Sequence, residues 1–144
     1  MVREAADRVA ASLTMLSGID VRVFDVSAVD LGSQTREAAS FLGQKLTDPH
    51  DAIPCAVRFS VGSVEHTIHI NAGDGFCEVA RDLATRLADE VSMDTWGQPF
   101  PPCPGHSHPR QLDRRGTALV WQCPCDETCT PVLLVDCAKE GGRR

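Results

Sequence analysis

The stretch CAVRFSVGSVEHTIHI, residues 55–70, contains two runs of alternating apolar and polar side chains joined by Gly62 and Ser63. Two residues of this kind between alternating runs are typical of a tight β-hairpin turn. Because side chains alternate in direction along a strand, one face of the hairpin would carry Cys55, Val57, Phe59, Val61, Val64, His66, Ile68 and Ile70. The stretch therefore predicts an antiparallel hairpin whose nearly apolar face must be covered by helices.

Helical patterns lie on both sides of this hairpin. Apolar residues recur every three or four positions in each of the helical segments, and Gly18 follows the first one where a left-handed C-cap is expected. The predicted elements are a helix over 2–17, a strand over 19–26, a helix over 35–46, the hairpin over 55–70 and a helix over 76–94, which Asp74 can cap. This order predicts an α+β protein with a small, mostly antiparallel sheet packed by helices.

The sequence changes character after residue 95. Five of the nine prolines fall between residues 99 and 109, and no periodic pattern continues there. Two short strand-like runs follow at 117–122 and 131–136, separated by the loop CPCDETCT. Such a segment has too few apolar residues for a core of its own and needs another source of stability, such as a cross-link (a staple) between its loops.

The residues that can form this staple are metal ligands. In PPCPGHSHPR, residues 101–110, Cys103, His106 and His108 lie within six positions. Two ligands separated by two residues can bind one zinc ion through a tight turn, in which Gly105 can adopt a positive φ. Sixteen residues separate His106 from Cys123, an interval typical of paired zinc knuckles. The sequence therefore predicts an α+β body at 1–95 and a Pro/Cys/His-rich zinc-binding module at 96–144, folded as a zinc-knuckle β-hairpin.

The fourth ligand is left open, because the cysteines after Trp121 lack the usual two-residue gap. The first ligand set, which we favour, consists of Cys103, His106, His108 and Cys123. The second set combines Cys103 and one of the two histidines with two of the three cysteines Cys123, Cys125 and Cys129.

The run WGQPFPPCPGHSHP, followed by ALVWQCP, resembles a pattern of small uncharacterised actinobacterial proteins in which CPxHxHP precedes WxCP. The resemblance covers residues 96–124 only. It implies the first ligand set, and Cys125, Cys129 and Cys137 look like additions to the pattern. It implies no activity.

The net charge of −6 is concentrated in the first part of the chain. Lys and Arg number 8 against 15 Asp and Glu in residues 1–95, but 6 against 5 in residues 96–144. Because an acidic body repels phosphate, we do not expect nucleic acid as a partner. No apolar run approaches the ~20 residues that span a bilayer, and the first residues lack the apolar core of a signal peptide. We therefore expect a cytoplasmic protein without a membrane partner, whose seven cysteines favour metal binding over structural disulfides.

These patterns predict a zinc-binding protein with a structural metal site, acting as a non-catalytic protein-interaction or regulatory module. The partner would be a protein, and the apolar helical stripes allow a homodimer. The alternative is an enzyme, although the zinc motifs of deaminases and metalloproteases are missing. Its site would be an open zinc bound by Cys103, His108 and Cys123 with Asp126 or Glu127 as base, or a reactive thiol at Cys77 in a helix's first turn.

Overall fold

The computed structural model describes residues 1–29 and 53–140. Its elements are α1 (Val2–Ser17), β1 (Val21–Ala28), β2 (Pro54–Val61), β3 (Val64–Asn71), α2 (Phe76–Asp94), β4 (Gln111–Arg115), β5 (Ala118–Gln122), β6 (Val132–Asp136) and α3 (Cys137–Glu140). Within the described ranges the strands form two antiparallel three-stranded sheets, ordered β1-β2-β3 and β4-β5-β6. The α+β class is confirmed, but the C-terminal strands form a second sheet rather than a lone hairpin. The helix predicted over 35–46 lies outside the described residues.

The predicted hairpin is confirmed as β2 and β3. Val61 pairs with Val64 across the turn, Val57 pairs with Ile68, and Gly62 in the turn has a φ of 60°. The inner side chains of these strands are buried with those of α1 and α2 in one core. Helices therefore cover one face of the first sheet, as the alternating pattern requires.

His66 is a core histidine on the covered face, as its place in the pattern predicts. Its side chain is buried, and its Nδ1 atom lies 3.1 Å from Glu90 Oε2 and 3.6 Å from Asp94 Oδ2 on α2. The ring is therefore satisfied by polar partners of the fold, which removes the need for a ligand at this position.

The caps of the two long helices agree with the sequence at one position and differ from it at another. Gly18 closes α1 in the left-handed region, with its N–H donating to Thr14 O at 2.9 Å, as predicted. The predicted cap of α2 at Asp74 is wrong, because Gly75 is the N-cap and no side chain bonds to the helix start.

No helix among the described residues is long and apolar enough to cross a membrane.

The second sheet is fastened to α1 through Trp121 on β5. The indole is fully buried, and its Nε1–H donates to Ser12 Oγ at 3.2 Å. Leu119 and Val135 belong to the same core cluster as the helices. Although the division of the chain at residue 95 stays a prediction, residues from both sides of it share this core, so β5 has a fixed place in the fold.

Strand β4 is an edge strand that the sequence did not predict. Its residues, QLDRR, are mostly exposed and lack alternating apolar side chains. The strand forms because its backbone pairs with β5 from Gln111↔Gln122 to Arg115↔Ala118. Pairing of backbone groups, which leaves no hydrophobic signal in the sequence, therefore decides this element.

Candidate metal centre

Four ligand-type side chains converge at one end of the second sheet. The ligand atoms of Cys103, His106, Cys123 and Cys129 all lie within 4.8 Å of one another. The Nδ1 atom of His106 is 3.3 Å from Cys103 Sγ and 3.4 Å from Cys123 Sγ. Zinc bonds of standard length in a tetrahedron would place nitrogen and sulfur roughly 3.6 Å apart. The cluster, which we call the Cys3His cluster, therefore has the size of a tetrahedral metal site.

The first two ligands are presented by one tight turn. His106 N–H donates to Cys103 O at 3.1 Å, and Gly105 has a φ of 78°. Proline followed by a residue with positive φ at the two central positions is typical of a type II turn. The sequence Cys-Pro-Gly-His therefore folds into a knuckle with both ligands on one side, and the role predicted for Gly105 is confirmed.

The other two ligands come from the loop between β5 and β6. Cys123 directly follows β5, and Asp126 shapes the rest of the loop. Its Oδ1 atom accepts hydrogen bonds from Thr128 N–H at 2.9 Å and from Thr128 Oγ1 at 2.6 Å. Its carbonyl oxygen accepts from Cys129 N–H at 3.3 Å. This side-chain-capped turn returns the chain so that Cys129 lies against Cys123.

The three sulfur atoms influence one another's pKa values. Burial, followed by hydrogen bonding to Cys123, raises the pKa of Cys103, and the same causes raise the pKa of Cys129 to about 11. Burial also acts to raise the pKa of Cys123, but the backbone N–H of Cys125 and the Cys103 thiol bond to its sulfur and the net shift is downward. A divalent cation among these atoms would stabilise all three thiolates.

His108 lies beside the cluster rather than within it. Its Nδ1 atom is 3.1 Å from Pro109 O, and its Nε2 atom is 3.8 Å from Cys123 Sγ. Its ring stacks on that of His106 with the centroids 4.7 Å apart. Of the favoured ligand set, the structure brings together Cys103, His106 and Cys123, and the fourth converging residue is Cys129. This combination is one that the second ligand set allows.

The turn at Asp126 carries the sequence signal that favours Cys129. An aspartate two residues before a threonine is typical of a side-chain-capped turn, and such a turn shortens the distance between flanking residues. The spacing of the cysteines alone left this choice open, because five residues, rather than the usual two, separate Cys123 from Cys129.

The hypothesis of a reactive thiol at Cys77 is wrong for this structure. Cys77, at the start of α2, forms a disulfide with Cys137 at the start of α3, so it has no free thiol. The expectation that cysteines here bind metal rather than form disulfides therefore fails for this pair. The cysteines of the described ranges that form no disulfide are Cys55, Cys103, Cys123, Cys125 and Cys129.

The fold and the cluster together define an α+β protein with a Cys/His group that can hold a metal ion. No family model matches the chain, and it matches no curated protein and no solved structure. The resemblance of residues 96–124 to actinobacterial proteins therefore stays a prediction, and function must be argued from the site itself.

Cysteine labelling can check this arrangement without any assumption about function. Under non-reducing native conditions, iodoacetamide is expected to modify Cys125 first, because it is the exposed free cysteine. Peptide mass mapping should find Cys77 unmodified until a reductant and a denaturant are added. The Cys125→Ser variant serves as the control and should lack the fast phase. Modification of Cys77 as fast as Cys125 in the absence of reductant would contradict the disulfide.

Proposed function

We propose that the Cys3His cluster binds one Zn²⁺ ion as a structural site. Tetrahedral sulfur and imidazole donors are the ligands that zinc prefers in proteins. The observation that supports this most directly is the convergence of the four ligand atoms within 4.8 Å. The proposed ligands are Cys103, His106, Cys123 and Cys129, and His108 is the residue that would replace one of them if the assignment is wrong.

The closed geometry favours a structural role over catalysis. Four protein donors complete a tetrahedron and leave no position for a reactive water. The candidate base Asp126 already accepts hydrogen bonds from Thr128 and lies 3.8 Å from the Cys129 thiol. An ion at this position would instead link the loop at 101–110 to the loop between β5 and β6.

Matched substitutions distinguish the proposed ligands from their neighbours. We expect about one zinc per chain in the purified protein, measured by mass spectrometry of the metal. Cys129→Ser and His106→Ala should weaken zinc binding by roughly 100-fold or more and lower the unfolding free energy by several kcal/mol, because folding and metal binding are coupled. Cys125→Ser and His108→Ala, which change residues outside the cluster, should retain the metal.

Two results would contradict this proposal at different levels. A metal-free protein of correct mass, which also fails to take up added zinc, would remove the structural zinc site. Loss of zinc in His108→Ala together with retention in Cys129→Ser would keep the site but assign it to the first ligand set.

We further propose that the zinc-containing protein is a non-catalytic interaction module. The feature that supports this is Trp96, two residues after the end of α2, which has a φ of 58° and a side chain that is 97% exposed. Its N–H bonds to Met93 O at 3.3 Å and that of Gly97 bonds to Ser92 O at 2.9 Å. This is a Schellman motif with tryptophan where glycine is usual. A bulky residue in the left-handed region costs about 1–2 kcal/mol of stability. Because the exposed indole gives the fold no burial in return, we attribute its presence to the binding of another molecule.

A second copy of the chain is the partner that the surface favours. Trp96 and Met93, which is 80% exposed, form an apolar knob, and tryptophan is enriched among residues that dominate binding energy. The same chain carries a shallow groove of about 700 Å³ along α1. Its lining combines apolar residues, among them Met1, Met15 and Leu133, with four charged residues of α1. A knob and a groove on one chain can bind reciprocally in a symmetric dimer.

We also propose a cellular location for the protein. The free thiols of the Cys3His cluster fit the reducing conditions of the cytoplasm, which we retain as the proposed location. The Cys77–Cys137 disulfide is the feature that argues against it.

Replacement of Trp96 by glycine separates binding from folding. Trp96→Gly should leave the unfolding free energy unchanged or raise it by up to about 1 kcal/mol, because glycine suits a positive φ. The same change should weaken self-association by more than about tenfold, measured by sedimentation equilibrium. Ile53→Ser, at an exposed position away from the knob, is the control and should associate normally. A wild-type protein that is monomeric at high concentration, or a Trp96→Gly variant that still dimerises, would contradict the proposal.

A further inference from the structure

Arg110 connects the two loops that carry the Cys3His cluster. Its backbone N–H donates to Pro101 O at 2.9 Å, which closes the loop that presents Cys103 and His106. Its side-chain Nη1 donates to Thr130 O at 3.2 Å, one residue beyond Cys129. One residue therefore reaches from the first ligand loop to the second.

The net charge of a metal-bound cluster favours a positively charged side chain nearby. Three thiolates and one divalent ion carry a net charge of −1, and both Cys103 and Cys123 are buried. Buried charge without compensation is strongly destabilising. The Arg110 guanidinium bonds to the carbonyl next to Cys129, so its positive charge is placed to compensate this negative charge.

The guanidinium also carries a buried hydrogen-bond donor, its Nε–H group. Its Nε atom is buried and has no hydrogen-bond partner among the described residues. A buried donor without a partner is costly, and in a native structure it calls for an explanation. A thiolate in a metal centre is a good hydrogen-bond acceptor, whereas the sulfur of a neutral thiol is a weak one. Thiolates of the proposed metal centre are acceptors of the kind that this buried donor requires.

We propose that Arg110 is a positioning residue of the metal centre, whose guanidinium neutralises the net negative charge of the metal-bound cluster and holds the Cys129 loop against the Cys103 loop. This inference rests on the proposed zinc site. It adds that the site depends on a residue which is not a ligand, as metal sites depend on the groups that orient their ligands.

Three variants test the role of Arg110. Arg110→Met removes the charge and the donors but keeps the apolar stem, and Arg110→Lys keeps the charge without the planar fork. The control is Arg115→Met, which removes an exposed arginine on β4 that bonds to Gln122 and not to either ligand loop. Zinc affinity is measured in the full chain by competition with a chromophoric chelator. The spectrum of the Co²⁺-substituted protein is recorded in parallel.

We expect Arg110→Met to weaken zinc binding by about 10–100-fold, with Arg110→Lys in between and Arg115→Met equal to the wild type. The thiolate-to-cobalt charge-transfer band should shift in Arg110→Met, because the charge beside the sulfur atoms changes. A general loss of stability would not move this band. If Arg110→Met does not fold, Arg110→Gln is measured in its place and must show the same loss and shift.

Two negative results have different meanings. If the wild-type protein binds no zinc, the proposed function fails and the role of Arg110 fails with it. If the wild type binds zinc but Arg110→Met binds within twofold of Arg115→Met, with an unshifted cobalt spectrum, only the inference about Arg110 is overturned.

Discussion

The structure of the C-terminal part depends on the meeting of three sulfur atoms and one imidazole within 4.8 Å. Charged thiolates are unfavourable at this place without a cation, since burial and hydrogen bonding with Cys123 raise the thiol pKa of Cys103 and Cys129. A divalent ion reverses the sign of this interaction, because each thiolate then gains a strong bond. The two ligand loops meet through these four side chains and through Arg110, so an ion bound here would fix their relation.

The four ligand residues are held in place by different parts of the fold. Cys123 follows β5, which Trp121 fastens to Ser12 of α1 inside the core. Cys103 and His106 lie on a closed loop, joined by the Pro102↔Pro109 bridge. Cys129 depends on the turn at Asp126. One ligand directly follows a strand and the others lie on short turns, so a bound metal ion would stabilise the turns most. The Cys77–Cys137 disulfide fastens the far end of the second sheet to α2, so the disulfide and the proposed metal site lie at different places.

The sequence predicted those features that are local or periodic. The hairpin of β2 and β3, the stripe of α2 and the left-handed cap at Gly18 follow from alternation, helical spacing and the freedom of glycine. Strand β4 could not be predicted, since it forms through backbone pairing. Cys103, His106 and Cys123 were found because spacing limits what a turn can bring together. The approach of Cys129 to the cluster is signalled only by the turn at Asp126. The pairing of Cys77 with Cys137 depends on a contact between distant segments, about which one sequence gives no information.

X-ray absorption at the zinc edge of the purified protein tests the central claim most directly, because it counts ligand atoms and measures their distances. We expect about three sulfur atoms near 2.3 Å and one nitrogen near 2.0 Å, with no oxygen from water. Two sulfur and two nitrogen atoms would show that His108 takes the place of Cys129. A shell of oxygen atoms, or zinc present far below one ion per chain, would contradict the account.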